Sequence, residues 1–327
     1  FIEKCSDSVL ELFELSFSKG VNVVLSSILS SFATASTKGK KVIVPNIADK
    51  VQDLLLLLSL FTKIKDLSPS ASFNAVLASS LNEFGTLKSL LNLYYSSYLL
   101  KSNDEPLFAE LTLSFISELV TIQEVAQKMI DNGLFSVFLE SPISVSIQTN
   151  GVQPEISPRL HNIWSNGIVS IVLQLLSKFG SSILSEVCLF VSYFSKQIDL
   201  VVSRWSSDSL SITQAYIQET SQIILLQKML DDLEYQRFLS VNTSKLKLID
   251  EQEVIELFPG LDTPTERAEL SNVLKHLLTH PKYMNSRIVA TTPEKQKMMD
   301  DEAYRSQLIN SITKQITELQ TLLNSNL

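Results

Sequence analysis

Few residues in this 327-residue sequence are of a type and spacing that could do chemistry: histidine occurs three times and cysteine twice. His276 and His280 stand four apart, so on a helix they share a face, as zinc-binding imidazoles do. A zincin, however, places its catalytic Glu directly after the first His. Leu277 occupies that position here, and no third ligand is signposted. The plainer account is a solvated helix end, where His280 before Pro281 suits the negative end of the dipole. Serines are abundant, but no Gly-x-Ser-x-Gly elbow and no Gly-Lys-Ser/Thr phosphate loop occurs, and a general base would be scarce. Asp231 with Asp232, and Asp300 with Asp301 and Glu302, read as solvated helix faces rather than ion sites. Neither an enzyme nor a bound metal or cofactor is expected.

The elements that would position such residues are helical. Glycine makes up 8 of 327 residues, and hydrophobic residues 45%. So little glycine argues against all-β and nucleotide-binding α/β folds, which need glycine turns, while the apolar content suffices for a core. The net charge of −8 opposes a general nucleic-acid binder. The basic knot of Lys38, Lys40 and Lys41 reads as solvated loop charge. Cys5 and Cys188 are too few for a disulfide framework, which points to a reducing compartment. The absence of Met at position 1 suggests a fragment of a longer chain. Gly20 to Thr37 is free of charge, but eight of its residues are Asn, Ser or Thr, which disfavours membrane insertion.

Read in order, helical spacing from Glu3 to Lys19 with a stop at Gly20, then Val21 to Ala35, predicts an antiparallel pair. Pro45 with Asn46, and Ser68 with Pro69, start further helices, the second ending at Gly85. Thr86 to Lys101 follows, and Thr121 with Glu124 makes a capping-box pattern for a helix closed by Gly133. Residues 141–157 hold Pro142 and Pro154, and Val145 and Ile147 alternate with polar residues, so an extended or mobile insertion is expected there. Ser157 and Pro158 then open a long helix to Gly180, whose apolar residues leave a polar strip of roughly 80° on a wheel of about 100° per residue. Such a helix packs on several sides and forms the spine, with Trp164 and Trp205 in the core. Ser211 begins another long helix, Lys245 to Leu257 is ambiguous, Thr263 and Pro264 restart the chain, and Thr292 with Pro293 launch a last helix of about thirty residues. The glycines of Phe84-Gly85 and Phe179-Gly180 are helix stops.

So many helices joined by short turns predict one all-α domain over residues 1–327, an α-solenoid of HEAT/armadillo-like pairs. Within it, LHNIWSNGIVSIVLQLLSKFG, EVCLFVSYF and VVSRW, followed by TPTERAELSNVLKHLLTHPKYMNSRIVATTPEKQ, resemble the C-terminal tail of the large inner-ring scaffold nucleoporins. The match is to the nucleoporin one-eighty-eight family, with the sister nucleoporin one-ninety-two family as the alternative, and it covers mainly Ser157 to Gln296. The resemblance implies a karyopherin-like superhelix and a scaffold of the nuclear pore complex at the nuclear envelope. It implies partners among other nucleoporins, above all short helical motifs of linker nucleoporins, with transport receptors and Phe-Gly nucleoporins as further candidates, and a part in mRNA and protein transport. A soluble karyopherin-like transport receptor or cargo adaptor is the alternative function. No catalytic residue is carried over.

The last helix has apolar residues on one arc only. If it closes the stack with a neighbour on one side, the edge of that arc near Ile309, Ile316 and Leu323 stays open, an expected docking groove for an amphipathic helix.

Overall fold

The computed structural model describes residues 7–36, 47–66, 71–99, 101–102, 105–246 and 256–324. Cys5, the Lys38–Lys41 knot, the Pro45–Asn46 and Ser68–Pro69 helix starts and most of Lys245–Leu257 lie outside them. Where the periodicity predicts one array, the chain divides into two compact units, Phe1–Val145 and Ser146–Leu327.

The first unit contains α1 (Asp7–Ser36), α2 (Ile47–Asp66), α3 (Ala71–Glu83) and α4 (Thr86–Ser96). A minimal antiparallel pair, β1 (Lys101–Ser102) and β2 (Glu105–Pro106), leads into α5 (Leu107–Leu119), α6 (Gln123–Asp131), α7 (Leu134–Glu140) and the start of α8 (Pro142–Asn150). α1 packs on α2, α3 and α4, α3 on α4 and α6, and α4 on α5 and α7, the stacking of an α-solenoid. The glycine stops at Gly85 and Gly133 are present, both with positive φ.

Two expectations fail here. α1 is a single helix that runs through Gly20. A mid-helix glycine costs only about 1 kcal/mol against alanine, and Phe17, Val21, Leu25 and Ile28 form one buried stripe across it. Packing on α3 and α4, with Phe17 stacked 5.6 Å from Phe61, outweighs that cost. Thr121 does not cap α6: its hydroxyl turns back to donate to the Glu118 carbonyl at 2.6 Å, and Ile122 takes the cap position with no side-chain bond.

The extended insertion is also corrected, because residues 142–150 are helical. Ser141 Oγ accepts from the Ser144 amide at 3.2 Å, Pro142 needs no amide partner at the first position, and Ile143 and Ile147, four apart, are buried. The apparent alternation arose because Val145 stays exposed while Ile147 does not. Only residues 151–157 lack regular structure, after Gly151 turns the chain at φ 69°.

The second unit holds α9 (Pro158–Asn162), a π-helical segment (Ile163–Val169), α10 (Ser170–Phe179), α11 (Leu184–Tyr193), α12 (Ser195–Ser203), α13 (Gln214–Asp232) and α14 (Tyr235–Leu246). It closes with α15 (Pro264–Thr279), α16 (Pro281–Arg287), α17 (Pro293–Met298) and α18 (Glu302–Asn324). The expected spine is α9, the π segment and α10 in succession. Pro158 stands at its start, where Ser157 makes no side-chain cap bond, and Gly180 at φ 51° ends it. Trp164, 1% exposed, forms a three-ring cluster with Phe190 and Phe194, with centroids 5.9 and 4.6 Å away. Pro158–Tyr193 is long and apolar enough to cross a membrane, yet half of its most apolar stretch is buried inside the protein. It is the core of a helix stack.

Thr263 caps α15 in a full capping box with Glu266. The single thirty-residue helix expected after Pro293 is two helices. Asp301 breaks it by accepting from the Ala303 amide at 2.8 Å at the start of α18, and Asp300, Asp301 and Glu302 are exposed, as a solvated acidic cluster would be.

Candidate partner-docking cleft

α18 explains both what the sequence foresaw and what it did not. Its apolar arc is real, but α18 packs against α13 and α15 together, so the arc is covered from two sides. Ile312, Ile316, Leu319 and Leu323 are at most 1% exposed, and Ile309 is half-buried. The open edge expected near Ile309, Ile316 and Leu323 is therefore corrected at two of its three positions: Ile316 and Leu323 lie inside a seam, where no docked helix reaches them.

The opening lies nearer the N-terminus of α18. A cleft of about 60 Å³ is lined by Thr213, Gln214 and Ala215 at the start of α13, by Val289, Ala290 and Thr291, by Lys295 of α17, and by Tyr304, Leu308 and Ile312. Its wall comes from an extended pairing. The Ile212 amide donates to the Arg287 carbonyl at 2.7 Å and the Val289 amide to the Ile212 carbonyl at 3.1 Å, so two non-helical segments run parallel beneath α18. Gln214 Nε2 donates to Ser311 Oγ at 2.9 Å and ties α13 to α18 across the rim. The lining mixes apolar Ala215, Val289, Ala290, Leu308 and Ile312 with polar Thr213, Gln214, Thr291 and Tyr304 and one cation, Lys295, an arrangement that fits a small anchor with apolar and polar edges.

His276 and His280 stack on one another. Their rings lie 4.1 Å apart, His280 Nδ1 faces the His276 carbonyl at 2.9 Å, and no group of three metal-ligating side chains occurs among the described residues. On the other side of α15, Asp262 accepts from the Phe258 amide at 3.0 Å and from the Tyr235 hydroxyl at 2.9 Å. Burial raises the pKa of the Asp262 carboxyl, and these bonds oppose the rise.

Sequence reasoning missed a buried polar hub in the second unit. Glu219, 1% exposed, accepts through Oε1 from Trp164 Nε1 at 2.7 Å and from Gln197 Nε2 at 2.8 Å, while Oε2 meets His161 Nε2 at 2.8 Å. Gln197 also takes the backbone of Val152 in two bonds, accepting from its amide at 2.7 Å and donating to its carbonyl at 3.0 Å. Arg204 pairs with Glu155 and lies 4.6 Å over the Tyr216 ring. Residues 151–157 are thereby fastened to α12 and α13. One signal was available: Glu219 falls on the apolar face of its helix, three residues after Tyr216 and four before Ile223.

Comparison with known proteins settles the family. Residues 17–323 match the family described as the nuclear pore protein NUP188 C-terminal domain. The chain belongs to that family. It is 51% identical over 325 residues to Nucleoporin NUP188 of Saccharomyces cerevisiae, covering 98% of this chain and 19% of the relative. Against Nucleoporin nup184 of Schizosaccharomyces pombe it is 27% identical over 209 residues, 64% of this chain and 13% of that one. The chain thus spans about a fifth or less of these curated relatives. A solved structure, Nup188 residues 1445–1827 from Myceliophthora thermophila, superposes with a TM-score of 0.59 at 15% identity, covering 94% of this chain and 90% of that one. At that identity the likeness establishes the fold, which is an α-solenoid. The relatives are nucleoporins, constituents of the nuclear pore complex at the nuclear envelope, and the first of the two sister families named from the sequence is the one matched.

Proposed function

We propose that this Nup188-family segment is a structural scaffold element of the nuclear pore inner ring that docks short helical motifs of linker nucleoporins, and that it does so without catalysis. The observation that carries this reading is the cleft beside α18. It is framed by three helices and an extended pairing, and its outer lip is Leu308 with half-buried Ile309 beside it. A preformed concave site on stacked helices suits an amphipathic helix that inserts one or two apolar anchors. The soluble-receptor alternative has no observation in its favour.

The test compares Leu308→Asp with Ile316→Asp. The first should leave the helix melt close to that of the parent while weakening capture of linker-nucleoporin helical peptides by about tenfold or more, the loss expected of an anchor residue. The second, at a position with no exposed surface, should unfold the second unit. A folded Leu308→Asp protein with unchanged capture overturns the reading.

A further inference from the structure

The chain is acidic overall, with a net charge of −8, yet residues 270–299 carry five cations, Lys275, Lys282, Arg287, Lys295 and Lys297, against one carboxylate, Glu294. None of the five pairs with a carboxylate among the described residues, although ion pairs form elsewhere, as between Lys314 and Glu318. The four lysines are exposed. Unpaired like charge is unfavourable to the fold.

At the α15–α16 corner one of these cations, Arg287, stands over a column of rings, and Lys275 and Lys282 are next to its members in sequence. His276 and His280 stack at 4.1 Å, Tyr283 meets His276 edge-on at 5.9 Å, and the Arg287 guanidinium lies 5.0 Å over the Tyr283 ring. Arg287 is held in place by a bond from Nη1 to the Asp208 carbonyl at 2.6 Å. His280 Nδ1 faces a carbonyl, which can only accept, so Nδ1 carries the proton and the ring is oriented. All four side chains are thus oriented by contacts with one another or with the backbone. They lose less freedom on binding than isolated lysines would.

We propose that this cationic column on α15 and α16 is a second interaction surface, distinct from the cleft, and that it takes an acidic peptide segment of a partner protein. Carboxylates fit the exposed ammonium groups of Lys275 and Lys282 and the imidazole edges. The rings stack on one another and beneath Arg287 instead of standing apart as platforms. That disfavours the alternative of single-stranded nucleic acid, whose bases need free aromatic faces.

The experiment measures binding of a fluorescently labelled oligo-glutamate peptide by anisotropy to the protein, to a Lys275→Glu/Lys282→Glu variant, and to a Lys196→Glu/Lys314→Glu control that changes net charge equally elsewhere. The parent should bind at low salt and weaken steeply as salt rises. The column variant should lose about tenfold or more and the control less than about threefold, as expected for contact rather than long-range attraction. Should the reversed variant fail to fold, Lys275→Gln/Lys282→Gln gives the same reading with a smaller loss. No binding at low salt, equal loss in variant and control, or tighter binding of an oligo-uridylate than of the peptide each overturn the proposal.

Discussion

The two units bury different kinds of polar group. Among the described residues of the first, every buried polar residue is a hydroxyl: Ser18, Ser80, Thr86, Ser97, Thr112, Ser141 and Ser144. In the second, Glu219, His161, Gln197 and Gln227 join them. A hydroxyl can satisfy itself within its own helix, as Thr112 does on the Phe108 carbonyl at 2.6 Å and Ser97 on that of Tyr94 at 2.6 Å. Such a bond costs the core little and says nothing about which neighbour packs there. A buried carboxylate has no local remedy. Glu219 must recruit donors 22 to 58 residues away, so it dictates how α9, the π segment, α12 and α13 meet. The first unit's hydroxyls also reach between elements, Thr86 to the Ser18 carbonyl at 3.0 Å and Tyr94 to Ser144 at 3.4 Å, but as single neutral bonds; in the second, one buried acidic side chain gathers three other elements.

The sharpest way to break that contrast is Trp164→Ala. It removes the largest side chain at the centre and one of the donors to Glu219, and should cost about 3 to 5 kcal/mol. Denaturant melts coinciding with those of the parent would show that the hub is not central. A subtler change is Glu219→Gln, which keeps shape but puts an amide N–H among donors. It should cost about 1 to 3 kcal/mol, against less than about 1 kcal/mol for Ser144→Ala in the first unit, where Ser144 shares bonds with Ser141 and Tyr94. Equal losses in the two variants would erase the distinction.

The smallest effect concerns Cys188, a buried free thiol whose ionisation burial alone opposes. Burial pushes its pKa from 9.0 up to about 11. The unfolded thiol therefore ionises first. Its contribution to stability is complete below pH 9 and declines as pH rises from 9 towards 11. Melts of the parent and of Cys188→Ala should thus converge by about 1 kcal/mol for the first pH unit above 9. A gap that stays constant over that range would place the thiol in contact with water.

Much of this was legible. The stops at Gly85, Gly133 and Gly180, the Thr263 restart and the burial of Trp164 follow from local chemistry that tertiary context does not override. What failed was decided at a distance. Gly20 reads as a stop until α3 and α4 supply a stripe to pack on, and 141–157 reads as extended until Ile143 and Ile147 find a buried face. The burial of Ile316 and Leu323 depends on α15 returning to cover α18 from its second side, and no periodicity within α18 reports that. The hub was hidden for the same reason, since its donors come from three other elements.

The π segment at Ile163–Val169 has one more consequence. A π turn closes its hydrogen bonds one residue later than an α turn, so the segment takes up surplus residue without lengthening the helix in proportion. It acts as a phase adjuster. Ahead of it, His161 is aimed at Glu219, and behind it Ile171, Val172, Leu175 and Leu176 are aimed into the core. A strict α-helix through the same residues would leave those two sets about 100° out of step. Deleting one residue there would let the segment close as an α turn and keep the aim of everything from Ser170 to Phe179, whereas adding one would re-aim it.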